Sequence, residues 1–327
     1  MLAPAYEPHF NKTPDLSITN AIDWQHNGHH MRRVVHVGPL MAPGGMSSVM
    51  KILTANPPDG WRTSSCNTYS RRGWIRKLRR WHIAKKEIKN GDFDIVHIHC
   101  ASDWSYKRKL SIAKAAKAPV IFHIHSGRFD IDTKSRLADY TVVCLSPTWS
   151  EKLRPLIGDS ISVPNPVDPL VISGLDRENF TLLMGRNDPV KGHKFAYSLG
   201  LKDLRVTGVE NAPNGVTPLG WVSEREKWEL LHKAGCLIVP SEYEGQPMVI
   251  LEALSVGCPV IASKNIPDLP DCVTAVNFDS KDDWIKAIAN PITKDLKQAI
   301  EKHRVDAVSK QWGKIYDNII DSKVSIE

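Results

Sequence analysis

The chain has 327 residues, of which 42% are hydrophobic and 24% are charged. This composition is typical of a soluble globular protein, neither disordered nor membrane-spanning, and the length predicts two domains rather than one. Lysine and arginine number 43 against 36 aspartate and glutamate residues, a formal net charge of +7. This balance favours anionic partners without choosing among nucleotides, acidic lipids and nucleic acid.

Residues 1–30 show neither helical nor strand periodicity and lack the apolar segment of a signal peptide, so we interpret them as an extension. The most apolar window, residues 247–262, is shorter than the roughly 20 residues that span a bilayer. The six cysteines are scattered without metal-binding or redox spacing, so we expect them to be buried and reduced. Together these features predict a cytoplasmic protein.

Residues 31–165 alternate short apolar runs with helix-length segments. RRVVHVG, DIVHIHC, PVIFHIH and YTVVCLS have the composition of strands that are buried on both faces. Such alternation predicts a doubly wound α/β domain with a parallel sheet.

The segment VPNPVDP, residues 163–169, contains three prolines and predicts an extended connector. After it the alternation restarts, which predicts a second parallel sheet in a domain covering residues 166–304. Ser223 and Glu226 have the spacing of a capping box at the start of a helix. A final amphipathic helix is predicted over about 305–327.

Residues 71–89 form a basic segment in which Trp74, Ile75, Leu78 and Trp81 follow helical spacing. One interpretation is a helix that lies on an anionic membrane surface through this apolar side. The other is a helix that packs those residues on its own domain and leaves a solvated basic face. The sequence favours neither.

The most informative segment is PSEYEGQPMVILEALSVGCPVIAS, residues 240–263, where a strand, a loop and a helix follow one another. Backbone N–H groups of Met248 and Val249, at the start of that helix, are suited to bind a phosphate. Glu252 lies one turn inside the helix, where its carboxylate could accept hydrogen bonds from a ribose diol. Glu244, on the loop, is placed to hold sugar hydroxyls.

This segment resembles the retaining GT-B glycosyltransferases of the family-4 type, glycosyl transferases group 1. Their signature has two glutamates in a Glu-Gly loop and a following helix, then a Gly-x-Pro-Val-Ile-Ala strand; Glu244, Gly245 and Glu252 match it. Gln246 and Pro247 stand where the family usually has an aromatic residue and a glycine, which puts the loop conformation in doubt. The resemblance implies two Rossmann-like domains facing across a cleft, with the final helix packing back on the first.

Other family elements recur in the same order along the chain. MGRNDPVKGH resembles the family's Gly-Arg and Lys-Gly element, so the resemblance implies that Arg186 and Lys191 neutralise the leaving nucleoside diphosphate. Val222 stands where backbone groups of the family contact the base. PGGM resembles the N-terminal glycine loop and places Gly45 near the diphosphate, and PVIFHIHSG places His125 opposite the transferred sugar as a neutral imidazole.

Asp92 with Asp94 and Asp130 with Asp132 have the Asp-x-Asp spacing that other glycosyltransferases use for a divalent cation, so both pairs are candidate metal ligands. Arg186 and Lys191 already supply positive charge, so we expect no metal and no cofactor.

The sequence therefore predicts a retaining, metal-independent glycosyltransferase that uses a nucleotide-diphosphate sugar, with a UDP-sugar favoured, and a glycan or lipid-linked acceptor. Nucleic acid is not an expected partner. The expected setting is surface polysaccharide or lipid-linked glycan synthesis, in the cytoplasm or on the inner face of the membrane. Two alternatives share the fold: a non-catalytic nucleotide-sugar-binding subunit and a nucleotide-sugar epimerase.

Overall fold

The structure is a computed structural model that describes residues 31–71, 73–101, 103–126, 129 and 132–324. Its first sheet has six parallel strands in the order β2-β1-β3-β4-β5-β6. The strands are β1 Arg32–Gly38, β2 Trp61–Asn67, β3 Ile95–Cys100, β4 Val120–Ile124, β5 Thr141–Cys144 and β6 Ile161–Ser162. Every residue of β3 and β4 is buried, as the apolar runs predicted for strands covered on both faces.

Helices connect these strands in the alternation that the sequence predicted. They are α1 Gly45–Ala55, α2 Trp74–Asn90, α3 Asp103–Ala113, α4 Lys134–Leu137 and α5 Pro147–Ile157. In a parallel sheet each connecting helix starts near the carboxyl ends of the strands, so the first turns of these helices share one edge of the sheet with the residues that follow each strand.

The second sheet also has six parallel strands, in the order β12-β11-β10-β7-β8-β9. They are β7 Thr181–Leu183, β8 Leu204–Val206, β9 Val216–Pro218, β10 Cys236–Val239, β11 Val260–Ser263 and β12 Thr274–Val276. The helices are α6 His193–Tyr197, α7 Glu224–Lys233, α8 Met248–Ser255, α9 Lys281–Ala289 and α10 Val305–Val324, with short 3-10 turns at Pro189–Lys191 and Gln298–His303. The predicted fold class, two Rossmann-like α/β units, is confirmed.

The last helix, α10, lies against the first sheet. The Trp312 ring is 4.3 Å from the His97 ring, and Asp317 accepts a hydrogen bond of 3.1 Å from the Trp61 indole. A Cβ added to Gly313 would lie 3.0 Å from Cβ of Pro58, so the glycine permits close packing of α10 on the loop before β2. The domain limits predicted from the sequence stay a prediction.

One hydrophobic cluster joins both sheets. It includes Val49 of α1, Met248 and Leu251 of α8, and Trp312 of α10, all at most 6% exposed. Burial of apolar side chains at about 25 cal/mol per Å² stabilises such a contact strongly. The carboxyl edges of the two sheets are therefore held together by packing as well as by the connector. Among the helices of the described residues, none combines the length and the hydropathy that a bilayer span requires.

Candidate functional site

The loop between β10 and α8 lies where the two sheets meet. A Cβ added to Gly245 would lie 2.7 Å from the carbonyl oxygen of His125, and one added to Gly45 would lie 3.1 Å from Cγ of Met248. The indole of Trp149 donates a 2.9 Å hydrogen bond to the carbonyl of Gly245. The structure thus brings Gly45, His125, Gly245 and Met248 together, although they are up to about 200 positions apart in sequence.

Gln246 holds this loop, which answers the doubt raised by the departure from the family pattern. Its side-chain oxygen accepts a 2.7 Å hydrogen bond from the backbone N–H of Asn165. Its backbone carbonyl accepts one of 3.3 Å from the side-chain Nδ2 of Asn165. Pro247 precedes α8 in an extended conformation. Proline is well tolerated there because the first N–H groups of a helix have no intrahelical partner.

The first turn of α8 presents its N–H groups without a side-chain cap and without an acidic residue. Met248 is buried and Val249 is half-buried. Uncapped N–H groups and the positive end of the helix dipole favour an anion at this position. The geometry is consistent with the phosphate contact proposed for both residues, which stays a prediction.

Lys191 and Glu244, which the sequence placed separately at the site, form an ion pair. The Lys191 ammonium is 2.5 Å from Oε1 of Glu244, and Ser241 donates a 2.9 Å hydrogen bond to the same oxygen. The side chains are 27% and 13% exposed. A lysine and a carboxylate that each suit a ligand therefore neutralise one another.

Two glycines allow this arrangement. Gly192 has φ of 72°, and a Cβ there would lie 2.0 Å from the carbonyl oxygen of Pro240, so the turn carrying Lys191 lies directly against the end of β10. Gly208 has φ of 74° and would place a Cβ 2.2 Å from the carbonyl oxygen of Gly185. Neither position has room for a side chain, and both conformations favour glycine.

Arg186 follows β7 on the same edge of the second sheet. Its side chain is 62% exposed, and its Nε lies 3.8 Å from Asp188. This weak contact in solvent leaves the guanidinium fork available for an anionic ligand.

Glu252 is buried in α8, with 6% exposure, and pairs with a residue that the sequence reading missed. The ammonium of Lys227 on α7 is 2.7 Å from Oε1 of Glu252 and 2.6 Å from Glu224. Burial raises the pKa of the Glu252 carboxyl, and the positive charge of Lys227 opposes that rise. The only sequence signal for Lys227 is its place directly after Glu226, near the start of a helix whose capping box of Ser223 and Glu226 the structure confirms.

Val222 immediately precedes the N-cap residue of α7 and is half-buried. It therefore lies one to two turns before Lys227 along the chain. Its contact with a base stays a prediction.

His125 follows β4 and belongs to a group of five contacting histidines. Its Nε2 is 2.8 Å from Nδ1 of His99, and Nε2 of His99 is 3.1 Å from Nδ1 of His36. A parallel row joins Tyr316, His97 and His123, with contacts of 2.8 Å and 3.2 Å. Burial lowers the pKa of His36 and of His125 to about 3, so both imidazoles are neutral near pH 7.

Lys109, at the edge of this group, was also missed. Its ammonium is buried and donates to the carbonyl of His99 and to the hydroxyl of Ser105. Burial lowers the pKa of Lys109 to about 8. A lysine in a solvated basic segment and a buried one look alike in sequence, so no local signal identified it.

The acidic pairs that were weighed as metal ligands lie elsewhere. Asp94 accepts a 2.6 Å hydrogen bond from the N–H of Arg33, and Asp92 pairs with the Arg33 guanidinium. Both precede β3, at the amino edge of the sheet and opposite the edge that carries His125. Asp130 lies outside the described residues. Two histidine triplets, His36-His97-His99 and His99-His123-His125, bring ring nitrogens within 4.8 Å of one another, but a metal ion would have to displace their mutual hydrogen bonds.

The chain is similar to known proteins in one sequence segment and in its fold. Residues 209–312 match the model of the family glycosyl transferases group 1. No curated protein matches the sequence significantly. Among solved structures, a sucrose-phosphate synthase from Thermosynechococcus elongatus matches with a TM-score of 0.66 and 15% identity, over 89% of this chain and 100% of its own.

Two further structures extend the comparison. The apo form of the lipopolysaccharide outer core galactosyltransferase WaaB matches with a TM-score of 0.57 and 18% identity, over 89% of this chain and 99% of its own. TarM of S. aureus, in complex with Fondaparinux, alpha-GlcNAc-glycerol and UDP, matches with a TM-score of 0.58 and 15% identity, over 73% of this chain and 59% of its own. At these identities the likeness shows the fold, which is GT-B.

Proposed function

We propose that this chain, which has the GT-B fold, is a group 1 glycosyltransferase and that it transfers a sugar from a nucleotide-diphosphate sugar to a hydroxyl acceptor. One observation carries the proposal: three polar features lie together on the second sheet's side of the site. They are the ion pair of Lys191 with Glu244, the ion pair of Glu252 with Lys227, and the uncapped start of α8. These groups together match a diphosphate flanked by a ribose and a sugar.

The Lys191 and Glu244 ion pair suggests how the donor binds. A diphosphate oxygen would replace the Glu244 carboxylate as the partner of Lys191, and Arg186 would add its guanidinium from solvent. Glu244 is then released to accept hydrogen bonds from sugar hydroxyls. Because each buried charge exchanges one partner for another, neither has to be left unpaired.

Glu252 is proposed to hold the ribose hydroxyls. One of its oxygens is engaged by Lys227, and this contact fixes the carboxylate and favours its ionised form. Lys227 therefore acts as a positioning residue for Glu252. Val222, just before the same helix, is the proposed neighbour of the base.

The transfer itself is proposed to retain the anomeric configuration. The bond between the sugar C1 and the phosphate oxygen breaks, the acceptor oxygen bonds to C1 on the same face, and the acceptor's proton passes to the departing phosphate. Gly45 lets the start of α1 approach the diphosphate, and the neutral His125 offers a hydrogen bond to the sugar. The protein contributes position and electrostatic stabilisation, and no separate general base or metal ion is assigned.

The donor nucleotide is proposed to be UDP, and the acceptor a glycan or lipid-linked glycan of surface polysaccharide synthesis in the cytoplasm. The UDP that is bound to TarM supports the first choice, and the galactosyltransferase activity named for WaaB in lipopolysaccharide supports the second. An acceptor carried on a lipid also suits the basic segment at residues 71–89.

The proposal is tested first by a thermal-shift screen of UDP-sugars and GDP-sugars with the purified full chain. A donor at 100 times its Kd should stabilise the folded state by about 2.7 kcal/mol, and UDP without sugar should give a smaller shift. If no nucleotide sugar raises Tm, the proposed donor class is wrong.

A second measurement separates the alternatives on the same fold. Release of free nucleoside diphosphate only after an acceptor is added indicates transfer. Binding without release indicates a non-catalytic subunit, and a change of the sugar while it stays attached to the nucleotide indicates an epimerase.

A further inference from the structure

The start of α2 exposes three large apolar side chains. Trp74 is 71% exposed, Ile75 63% and Leu78 48%, whereas the buried side of the helix consists of Ala84 and Ile88. Of the two interpretations left open by the sequence, packing of this apolar set on its own domain does not apply to these three residues. It holds only for Trp81, whose indole donates to the hydroxyl of Ser111 on α3 at 3.0 Å.

A fourth exposed apolar residue lies on the neighbouring helix. Trp104, in the first turn of α3, is 77% exposed. Trp81 of α2 contacts Ser111 of α3, and both helices start at the carboxyl edge of the first sheet. Trp74 and Trp104 each lie seven residues before these contacting residues, so both lie toward that same edge. We call Trp74, Ile75, Leu78 and Trp104 the apolar rim. An exposed set of this kind marks an interaction site rather than a random surface.

Cations surround the apolar rim. The exposed basic residues of these first turns are Arg76, Lys77, Arg79, Lys107 and Arg108. None of them forms an ion pair with another residue in the part of the chain that the structure describes, and the only acidic residue of α2, Glu87, is near its other end. The Lys107 ammonium lies 5.2 Å from the Trp104 ring, so charge and aromatic surface are interleaved.

We infer that the apolar rim and its cations form a docking surface for an anionic lipid bilayer. Tryptophan and aliphatic side chains favour the interfacial layer of a bilayer, and lysine and arginine are attracted to acidic headgroups. Charge complementarity selects this occupant over a second copy of the chain, because two such surfaces would repel. Each cation near the surface contributes about fivefold to binding, from about 1 kcal/mol each.

The position of this surface has a consequence that rests on the proposed function. His125 follows β4 and so lies on the same carboxyl edge as the apolar rim. A membrane bound there would present a lipid-linked acceptor to the edge at which the sugar is transferred.

The test is co-flotation of the full chain with vesicles of phosphatidylcholine alone or mixed with phosphatidylglycerol. We expect binding only to the mixed vesicles, and release by high salt. The combined variant Trp74→Ser, Ile75→Ser, Leu78→Ser should lose most binding, and Leu170→Ser, Val171→Ser, which alters exposed apolar residues elsewhere, should not.

Two double variants that change the net charge by the same amount test whether the position of the cations matters. Arg76→Glu, Lys77→Glu should lower binding by at least tenfold, and Lys302→Glu, Lys310→Glu, at exposed positions in and before α10, should leave it nearly unchanged. No binding to mixed vesicles at low salt, or an equal loss in both pairs, overturns the inference. If light scattering shows a dimer, and the triple serine variant is a monomer, the inference is also overturned and the apolar rim is a self-association surface.

This outcome is independent of the proposed function, because the thermal shift by a nucleotide sugar requires no membrane.

A different observation supports a second inference, about the row His36, His99 and His125. Three neutral imidazoles carry three N–H groups, and the two contacts between their rings use two of them. The third N–H must lie at one end of the row, on Nε2 of His36 or on Nδ1 of His125. Nδ1 of His125 therefore carries a hydrogen and can donate in one arrangement, and lacks it and can accept in the other. The choice is coupled to the tautomer of His36 through His99.

We propose that His99 is a positioning residue that sets the tautomer of His125. This rests on the proposed contact of His125 with the sugar, but its first test does not. In protein labelled with ¹⁵N-histidine, ring-nitrogen shifts report each tautomer, and His36→Phe and His99→Gln should change the tautomer ratio of His125. His303→Gln, outside the row, should not.

In transfer assays, His99→Gln should lower kcat about tenfold with little change in the KM for the donor, as expected if His125 acts mainly at the transition state. Unchanged ¹⁵N shifts of His125 in both row variants would overturn the inference. Changed shifts with an unchanged kcat would instead count against the contact of His125 with the sugar.

Discussion

The two sheets contribute opposite kinds of polar group to the same site. On the first sheet, buried imidazoles contact one another with no carboxylate partner among the described residues, and burial keeps them neutral. On the second, Lys191 with Glu244 and Lys227 with Glu252 form ion pairs. A neutral surface costs little to desolvate and can remain preformed, whereas each ion pair contains charges that a ligand can take over.

The largest expected effect tests the neutral side through pH. Unfolded histidine binds a proton below pH 6.5, but His36 and His125 in the folded protein bind one only near pH 3. The unfolded state thus binds more protons in this window, and each of these residues removes about 1.4 kcal/mol of stability per pH unit as pH falls from 6.5. We expect the free energy of unfolding by urea to drop steeply between pH 7 and 5.

His36→Phe should reduce the slope of the free energy of unfolding against pH by the contribution of one histidine. His82→Phe, at an exposed position, should leave that slope unchanged. A free energy of unfolding that stays constant from pH 7 to 5 would mean that the imidazoles are not buried as neutral groups.

The next effect tests the charged side. Lys191→Ala should lower kcat/KM for transfer by about 10³-fold, because it removes a cation that stabilises the departing diphosphate. Lys194→Ala changes an exposed lysine three positions away and should have little effect. Circular dichroism and Tm would verify that both variants fold. Turnover near that of the wild type in Lys191→Ala contradicts the assigned role.

Glu252→Ala should abolish transfer too, and it should also lower the stability of the protein. It leaves the ammonium of Lys227, whose side chain is 16% exposed, with Glu224 alone. Breaking a buried pair from one side costs about 3–5 kcal/mol. In the double variant Glu252→Gln, Lys227→Met, stability should be largely restored while transfer stays lost. If transfer returned as well, Glu252 would be only structural.

The smallest effects test the contact between the two sides. Gly245→Ala would press a Cβ onto the carbonyl of His125 at 2.7 Å and shift the loop, so transfer should fall by about 10²-fold. At Gly45 the corresponding neighbour is a flexible methionine side chain at 3.1 Å, so Gly45→Ala should lower Tm less than Gly245→Ala does. Equal effects of the two variants would indicate that the loop does not depend on this contact.

Much of the fold was predictable because it follows from local pattern. The strands β1, β3, β4 and β10 are buried on both faces and read as apolar runs, and the capping box of α7 depends on residues three apart. β2, β6 and β12 were missed. β2 reads WRTSSCN, an edge strand in which only Trp61 and Cys66 are buried, so its sequence has the composition of a loop.

The candidate site was predictable as a set of residues but not as a set of contacts. Glu244, Lys191 and Glu252 were recognised from motif spacing, but the pairing of Lys191 with Glu244 was not. Lys227 and Lys109 were missed, because a lysine's burial depends on what packs over it. The same reason explains why the exposure of Trp74, Ile75 and Leu78 could not be read from their helical spacing.

The sequence by itself determined the alternation of strands and helices, the two sheets and the positions of the glutamate and lysine motifs, since each depends on residues near one another in the chain. Only the tertiary structure decided that Lys191 meets Glu244, that Glu252 meets Lys227, and that histidines from three strands contact one another. These contacts join segments separated by 25 to 63 positions, and their partners are selected by strand order and packing rather than by local pattern.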